Sequence, residues 1–373
     1  MKNKGKALIV VAVCVAISMA FIFTAIQALA EGTKGDPVTL RADFWFTGNG
    51  DLGRAITKAM EIATERSKGQ IRFTTTWAGA KVNQTGALHI LDDNVSDVSY
   101  VANTVFPAQL PRSFVTCMYG PMTNAWAGMM AALEFVKTSD TIRNEWLEYN
   151  AVPIWPCCFP PNVLMSREAI PNVDSLKGKR FVAHGQQAQI VANLGGAPSA
   201  IPAGEMYDAL AKGTVNTIWW AIIYVNQWSW YENLKYLVPN SNIGGAAYYI
   251  CFNKKTFDKL PASTQKVLVD MGPEVANLIY EQTLVNRMPD IVNNIFPKAG
   301  IEQLKWTDED METVRKVGIE PANEKWLKDM EKRGYTDIRK VLKLWEGLND
   351  KYNNLLPQVA AEQGWKQIEG LPY

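Results

Sequence analysis

The sequence predicts an α/β protein built on two open sheets, and three observations carry that reading. Residues 40–102 run through strand, helix, strand, helix and strand periodicities in turn. A second series of alternating strand and helix segments begins near residue 155. With 373 residues, 47% hydrophobic and 20% charged, the chain has enough apolar material for two domains with their own cores.

The elements follow in order. Leu40, Ala42, Phe44 and Phe46 alternate with polar or smaller residues, as one face of a strand does, and Thr47-Gly48-Asn49-Gly50 breaks it. Ala55, Ile56, Ala59, Met60 and Ala63 form a single helical stripe, closed by Gly69. Ile71, Phe73, Thr75 and Trp77 alternate again. A helix over 84–91 leads to a short strand at Val98–Ala102. In such an open sheet the ligand crevice lies at the carboxyl ends of the strands. The second series reads as strand 180–183, a turn at His184-Gly185, helix 186–194, helix 206–212 and strand 215–220. Residues 246–253 form an apolar strand that can return to the first domain. A helical region from Ser263 is interrupted at Gly272-Pro273, and Thr307 with Asp310 makes a capping-box pattern opening the last helical stretch.

Composition excludes several classes. Lys+Arg 38 against Asp+Glu 37 leaves no face with the basic excess that nucleic acid requires. Only two histidines exist, His89 and His184, so a His-rich metal centre cannot be assembled. Lys2, Lys4 and Lys6 precede an apolar run from Ala7 to about Ile26, and Ala28-Leu29-Ala30 supplies a cleavage triplet. The expected product is an exported protein cleaved after Ala30, starting at Glu31. The rival is an uncleaved anchor, since about 20 apolar residues can span a bilayer. Cys117, Cys157, Cys158 and Cys251 survive cleavage. Their spacing specifies no disulfide and contains no CxxC pair, and at least one of Cys157-Cys158 is expected to be a small buried apolar side chain.

No GxSxG, HExxH, Walker loop or GxGxxG-to-helix junction is present, so catalysis has no recognisable apparatus and no cofactor is called for. His184 at a strand-to-helix junction has no nucleophile near it in sequence. The densest unusual feature is Trp219-Trp220 with Trp228 and Trp230, four of the 13 tryptophans in twelve residues. A strand ending in Trp-Trp turns one ring inward and one outward, and the outward ring can wall the crevice.

Several segments resemble the solute-binding proteins of TRAP (tripartite ATP-independent periplasmic) transporters. Asp174-Ser175-Leu176-Lys177-Gly178-Lys179-Arg180 is similar to that family's DLKGKK segment. Gly195-Gly196-Ala197-Pro198 and Ile201–Leu210 resemble its GATPVPMPFSEVYTAL, and Gly213–Asn216 stands where it has GVVDG. Phe252–Pro261 is close to its MNKKTFDKLP. The resemblance implies a two-lobed periplasmic-binding-protein-like fold with two open sheets, hinge strands and a long bracing helix. It assigns 31–156 plus 246–287 to lobe I, and 157–245 plus 288–373 to lobe II and the C-terminal helices. It further implies capture of a small organic solute in the periplasm and delivery to the small and large membrane subunits of a TRAP permease. Presentation to a periplasmic sensor is the alternative.

One departure bears on the ligand. Most relatives read KGKKIRV where this chain has Lys177–Ala183, so Val182 stands at the position of the arginine that clamps a ligand carboxylate. The upstream segment Phe159–Met165 also lacks arginine. Two ligand classes remain open. A small amine or alcohol can sit among aromatic rings, or a carboxylate or sulfonate can be held by the helix N-terminus near Gly185 with His184 beside it. The expected ligand-binding set is Trp45, Phe46, Asn103, Trp155, Phe159, His184, Trp219 and Trp220. Asp43, Asp51 and Glu205 are the candidate acids for a cationic ligand.

Overall fold

The computed structural model describes residues 36–366, so the export signal expected at residues 1–30 lies outside the described residues. Eleven strands, among the described residues, divide into two sheets. They are β1 (Val38–Asp43), β2 (Ile71–Thr76), β3 (Val98–Val101), β4 (Ala151–Phe159), β5 (Val163–Ser166), β6 (Arg180–Val182), β7 (Ala197–Ser199), β8 (Thr217–Trp220), β9 (Tyr236–Val238), β10 (Ala246–Asn253) and β11 (Glu302–Gln303). Lobe I is built on the order β2-β1-β3-β10-β4, and lobe II on β11-β9-β5-β8-β6-β7. In lobe I the first three strands are parallel, while β10 runs antiparallel to both β3 and β4. This is the two-lobed α/β architecture that the sequence predicts.

Local chemistry accounts for most boundaries. The helix Asp51–Arg66 buries Ala55, Ile56, Ala59, Met60 and Ala63, the stripe read from the sequence. The Gly272-Pro273 break separates helices Ala262–Asp270 and Gly272–Tyr280, with the proline in the first turn, where a missing N–H leaves no bond unmade. Thr307 and Asp310 form the reciprocal capping box, Asp310 N–H donating to Thr307 Oγ1 at 3.1 Å and Thr307 N–H to Asp310 Oδ2 at 2.9 Å. The helix expected at 84–91 is instead a 3₁₀ turn, Gln84–Gly86, followed by a single helical turn, His89–Asp92. Asn83 caps the start of the first of these by accepting from Gly86 N–H at 2.8 Å.

Two short crossings between the lobes lie side by side. Phe159 to Asn162 leads from β4 to β5, and 239–245 leads from β9 back to β10. These are laced together: Asn162 N–H donates to Gly244 O at 3.0 Å and Ile243 N–H to Asn162 O at 3.2 Å. A third segment joins them, with Gly120 N–H donating to Ile243 O and Gly245 N–H to Met122 O, both at 2.9 Å. A Cβ on Gly245 would lie 2.5 Å from Phe159 O, and one on Gly244, whose φ is +100°, 2.9 Å from Gly120 N. Backbones pass so closely here that only glycine fits.

The C-terminal stretch departs from the expected domain division. The 26-residue helix Ile338–Gln363 packs not on lobe II but across lobe I's helix Ala125–Thr138. Tyr352 meets Trp126 and Trp345 meets Phe135 edge to face, at 6.2 and 5.6 Å between ring centroids. Arg112, itself held by the buried Glu145, binds Asp337 just before that helix, Nε to Oδ2 at 2.8 Å. Among the described residues no helix is long and apolar enough to cross a membrane.

Candidate functional site

In open α/β sheets ligands bind beyond the carboxyl ends of the strands, which here are the ends of β1 and β3 in lobe I and of β6 and β8 in lobe II. On the lobe I side the chain leaving β1 places Trp45 and Phe46 around Tyr100. The centroids are 5.6 Å apart for Trp45–Tyr100 and 5.1 Å for Phe46–Tyr100, both edge to face. Tyr248 on β10 extends the group, 5.9 Å from Tyr100, with its hydroxyl 3.2 Å from Thr104 Oγ1. At the end of β4, where the chain leaves lobe I, Phe159 stacks on Tyr224 of lobe II at 4.9 Å and meets Trp220 edge to face at 5.6 Å. Trp220 rests in turn on Trp230, and Trp230 on the exposed Trp228, at 5.6 and 5.9 Å.

The two groups meet through their phenols. Burial pushes the hydroxyls of Tyr100, Tyr224 and Tyr248 well above the usual tyrosine range. Their mutual proximity and that of the Cys157 and Cys158 thiols push Tyr100 and Tyr224 in the same direction, and Tyr224 adds to Tyr248. All three are neutral donors and acceptors at any physiological pH. The cysteines there are free and buried, and burial raises the Cys157 thiol to about 12, so it is an inert packing group. Behind Tyr224 a cavity of about 20 Å³, room for one water, is lined by Asp51, Cys158, Gln227 and Thr283 among others.

Of the residues singled out from the sequence, Trp45, Phe46, Phe159 and Trp220 come together at this junction. Trp155 and Trp219 do not. Trp155 is wholly buried in lobe I, its Nε1–H donating to Leu268 O at 2.8 Å and its ring against Phe252. Trp219 is wholly buried in a separate lobe II core, stacked on Phe181, with Nε1–H donating to Ser241 O at 2.8 Å. Both serve the lobes' interiors. His184 is exposed at the start of helix Gly185–Asn193 and caps none of its N–H groups.

Asn103 is buried at the end of β3. Its Nδ2 donates to Ser113 O at 2.8 Å and Thr116 Oγ1 at 3.0 Å, which fixes the amide orientation because a carbonyl only accepts. Its Oδ1 is buried without a partner, as is Trp45 Nε1. Of the candidate acids, Asp43 is buried against Thr76 and 3.4 Å from Lys81 Nζ, Asp51 pairs with Arg54, and Glu205 is exposed. Among the described residues no cluster of His, Cys, Asp and Glu could hold a metal ion.

Sequence reasoning missed Tyr100, Tyr224, Tyr248 and Thr104. The signal for Tyr100 was its place near the carboxyl end of β3. Tyr248 sits within eight consecutive buried residues, where nothing in the pattern separates a crevice residue from a core one.

The arrangement is a two-lobed α/β protein with rings and neutral hydrogen-bonding groups gathered near the crossings between its lobes. The family model of the bacterial extracellular solute-binding proteins, family 7 (DctP), matches residues 162–329 of this chain. A solute-binding protein of Sulfitobacter sp. (strain NAS-14.1) is 29% identical over 164 residues, which are 41% of this chain and 47% of that protein, so the match spans about half of the relative's length. Among solved structures, a TRAP periplasmic solute-binding protein of Desulfovibrio salexigens superposes with a TM-score of 0.74 at 21% identity, covering 84% of this chain and 96% of the other. One from Rhodoferax ferrireducens, in complex with copurified benzoate, gives 0.73 at 19% identity, covering 86% and 99%. At these identities the superpositions speak for the fold.

Proposed function

We propose that the protein is a periplasmic solute-binding protein that closes its lobes on a small organic solute and delivers it to the membrane subunits of a TRAP-type secondary transporter. It binds and does not catalyse. The observation that carries this is the pair of ring groups, Trp45, Phe46, Tyr100 and Tyr248 in lobe I and Phe159, Trp220 and Tyr224 at the crossing into lobe II, beside crossings that can flex as a hinge. The family-model match over residues 162–329 and the superposed folds support the same reading.

For the ligand we favour an alcohol or amine. Val182 supplies no guanidinium, and among the described residues the Arg and Lys groups lying over rings are at Tyr335 and Tyr352, away from the crevice. A carboxylate or sulfonate is the second reading. The first turn of helix Gly185–Asn193 has no side-chain cap and can receive an anion, and the Rhodoferax protein holds benzoate.

A thermal-shift screen of matched alcohols, amines, carboxylates and sulfonates tests the proposal. A true ligand at a hundred times its Kd adds about 2.7 kcal/mol of stability and is recovered unchanged. Chemical turnover that persists through purification contradicts the binding-only reading.

A further inference from the structure

Within the solute-binding reading, the walls of the crevice narrow the ligand class further. Trp45 is partly exposed just beyond the carboxyl end of β1, yet its indole N–H is buried and unpartnered. A buried donor without an acceptor is costly and is rare in folded proteins. Other tryptophans show the rule: Trp126, Trp146, Trp155, Trp219 and Trp306 all donate to protein acceptors at 2.8 or 2.9 Å. Trp230 and Trp345 also lack partners, but both rings are enclosed, under Trp220 and against Phe135 respectively, where no solute reaches. Among the described residues, only Trp45 combines a buried, unpartnered indole N–H with a ring that is itself partly exposed.

The surroundings say what kind of acceptor belongs there. The rings touching Trp45 are Phe46 and Tyr100, and the polar groups that follow are the Tyr248 hydroxyl and Thr104 Oγ1. Of the cations around β1, Arg41 is engaged with Asp97, Lys81 with Asp43, and Arg54 with Asp51 and Asn49 O. A carboxylate would therefore lose its hydration for neutral donors alone. An ammonium group would meet an N–H donor and repel it. A hydroxyl or carbonyl oxygen accepts from the indole at no such cost, and a hydroxyl can also donate onward to a phenol or threonine oxygen.

We propose that the solute is uncharged at its recognised end, and that a hydroxyl or carbonyl oxygen of it accepts a hydrogen bond from Trp45 Nε1–H. Trp45 is then the residue that separates alcohols and carbonyl compounds from the acids and amines of the same skeleton.

The test uses the mature chain with matched sets, each an alcohol, amide, carboxylate and amine on one carbon skeleton (benzyl alcohol, benzamide, benzoate and benzylamine as the aromatic set, 1,2-propanediol, lactamide, lactate and 1-amino-2-propanol as the aliphatic one). Titration calorimetry is expected to give the uncharged members at least tenfold tighter binding than their acid or amine. Trp45→Phe keeps a ring and removes the donor, and should weaken the uncharged ligand about 5- to 30-fold. Should that variant fail to fold by circular dichroism, the Trp45 indole resonance of the ¹⁵N-labelled native protein replaces it, with a downfield move on ligand addition expected. Tighter binding of the acid or amine, a Trp45→Phe affinity within twofold of native, or an unmoved indole resonance overturns this inference and leaves the solute-binding reading in place. No binding by any member of either set overturns both.

Discussion

The two sides of the lobe II sheet use the same residue type in opposite ways. On the side away from the crevice, Trp219 stacks on Phe181 and meets Trp306 edge to face, and both indoles donate to backbone carbonyls, of Ser241 and Ile170. On the crevice side Trp220 is partly exposed, touches Phe159 across the hinge and leads through the unpartnered Trp230 to the exposed Trp228. Adjacent residues on one strand thus face different tasks. The closed side satisfies both of these indoles from within, whereas the other side leaves the face of Trp220 open to a guest.

The difference can be broken most forcefully on the closed side. Trp219→Ala should cost about 3–5 kcal/mol of stability, as removal of a large buried ring does, with no selective loss of affinity in the molecules that remain folded. Chemical denaturation read by circular dichroism measures it. Gly245→Ala should come next, at about 1–3 kcal/mol, since its Cβ would meet Phe159 O at 2.5 Å. Small-angle scattering with and without ligand should show that the variant no longer closes as the native protein does.

Trp220→Ala sharpens the contrast. Because the ring is only part-buried, about 1–2 kcal/mol of stability is at stake, but solute affinity should fall tenfold or more. Equal losses in Trp219→Ala and Trp220→Ala would erase the distinction between the sides.

The smallest effect is in pH. Burial is the largest single influence on Asp310 and would raise its pKa, but bonds from Val173 N–H and from the Thr307 hydroxyl and backbone outweigh it and hold the carboxyl below 3.8. A depressed carboxyl contributes stability above its unfolded value and loses it as pH falls through the folded one. The closed side should therefore loosen only below pH 3.8, an onset that Asp310→Asn removes, as thermal melts across acid pH would show. Solute affinity, carried by phenols whose pKa values are pushed upward, should stay flat from about pH 5 to 9.

Where periodicity or a cap writes a local signal, the sequence was readable. The stripe of Asp51–Arg66, the Thr307–Asp310 box and β10 all stand where the residues place them. Helix Ala125–Thr138 gave no stripe, because it is buried nearly all round, under the C-terminal helix on one side and the lobe I sheet on another. The seat of that C-terminal helix depends on Arg112 with Asp337 and Phe114 against Trp326, partners more than 200 residues apart. In the site, alternation at Trp219-Trp220 was legible, but which rings reach the crevice was not. Trp155 and Phe159 sit on the same strand, and only the tertiary fold puts one under helix Ala262–Asp270 and the other at the hinge. Val182 proves wholly buried, paired with Ser199 and Ile218, so the absence of an arginine there reflects a packed position as much as a choice of ligand.

Strand β10 has a consequence for how the chain is made. It lies between β3 and β4 in space, yet follows all but one of lobe II's strands in sequence. While the polypeptide emerges amino end first, lobe I holds two strand edges that nothing can pair until residue 253 has arrived. Closing a loop of that length is slow, and it delays the cooperative folding step. A nascent chain in that condition stays unfolded long enough to be threaded through a narrow translocation channel, and it is also the stage at which a chaperone has most to protect.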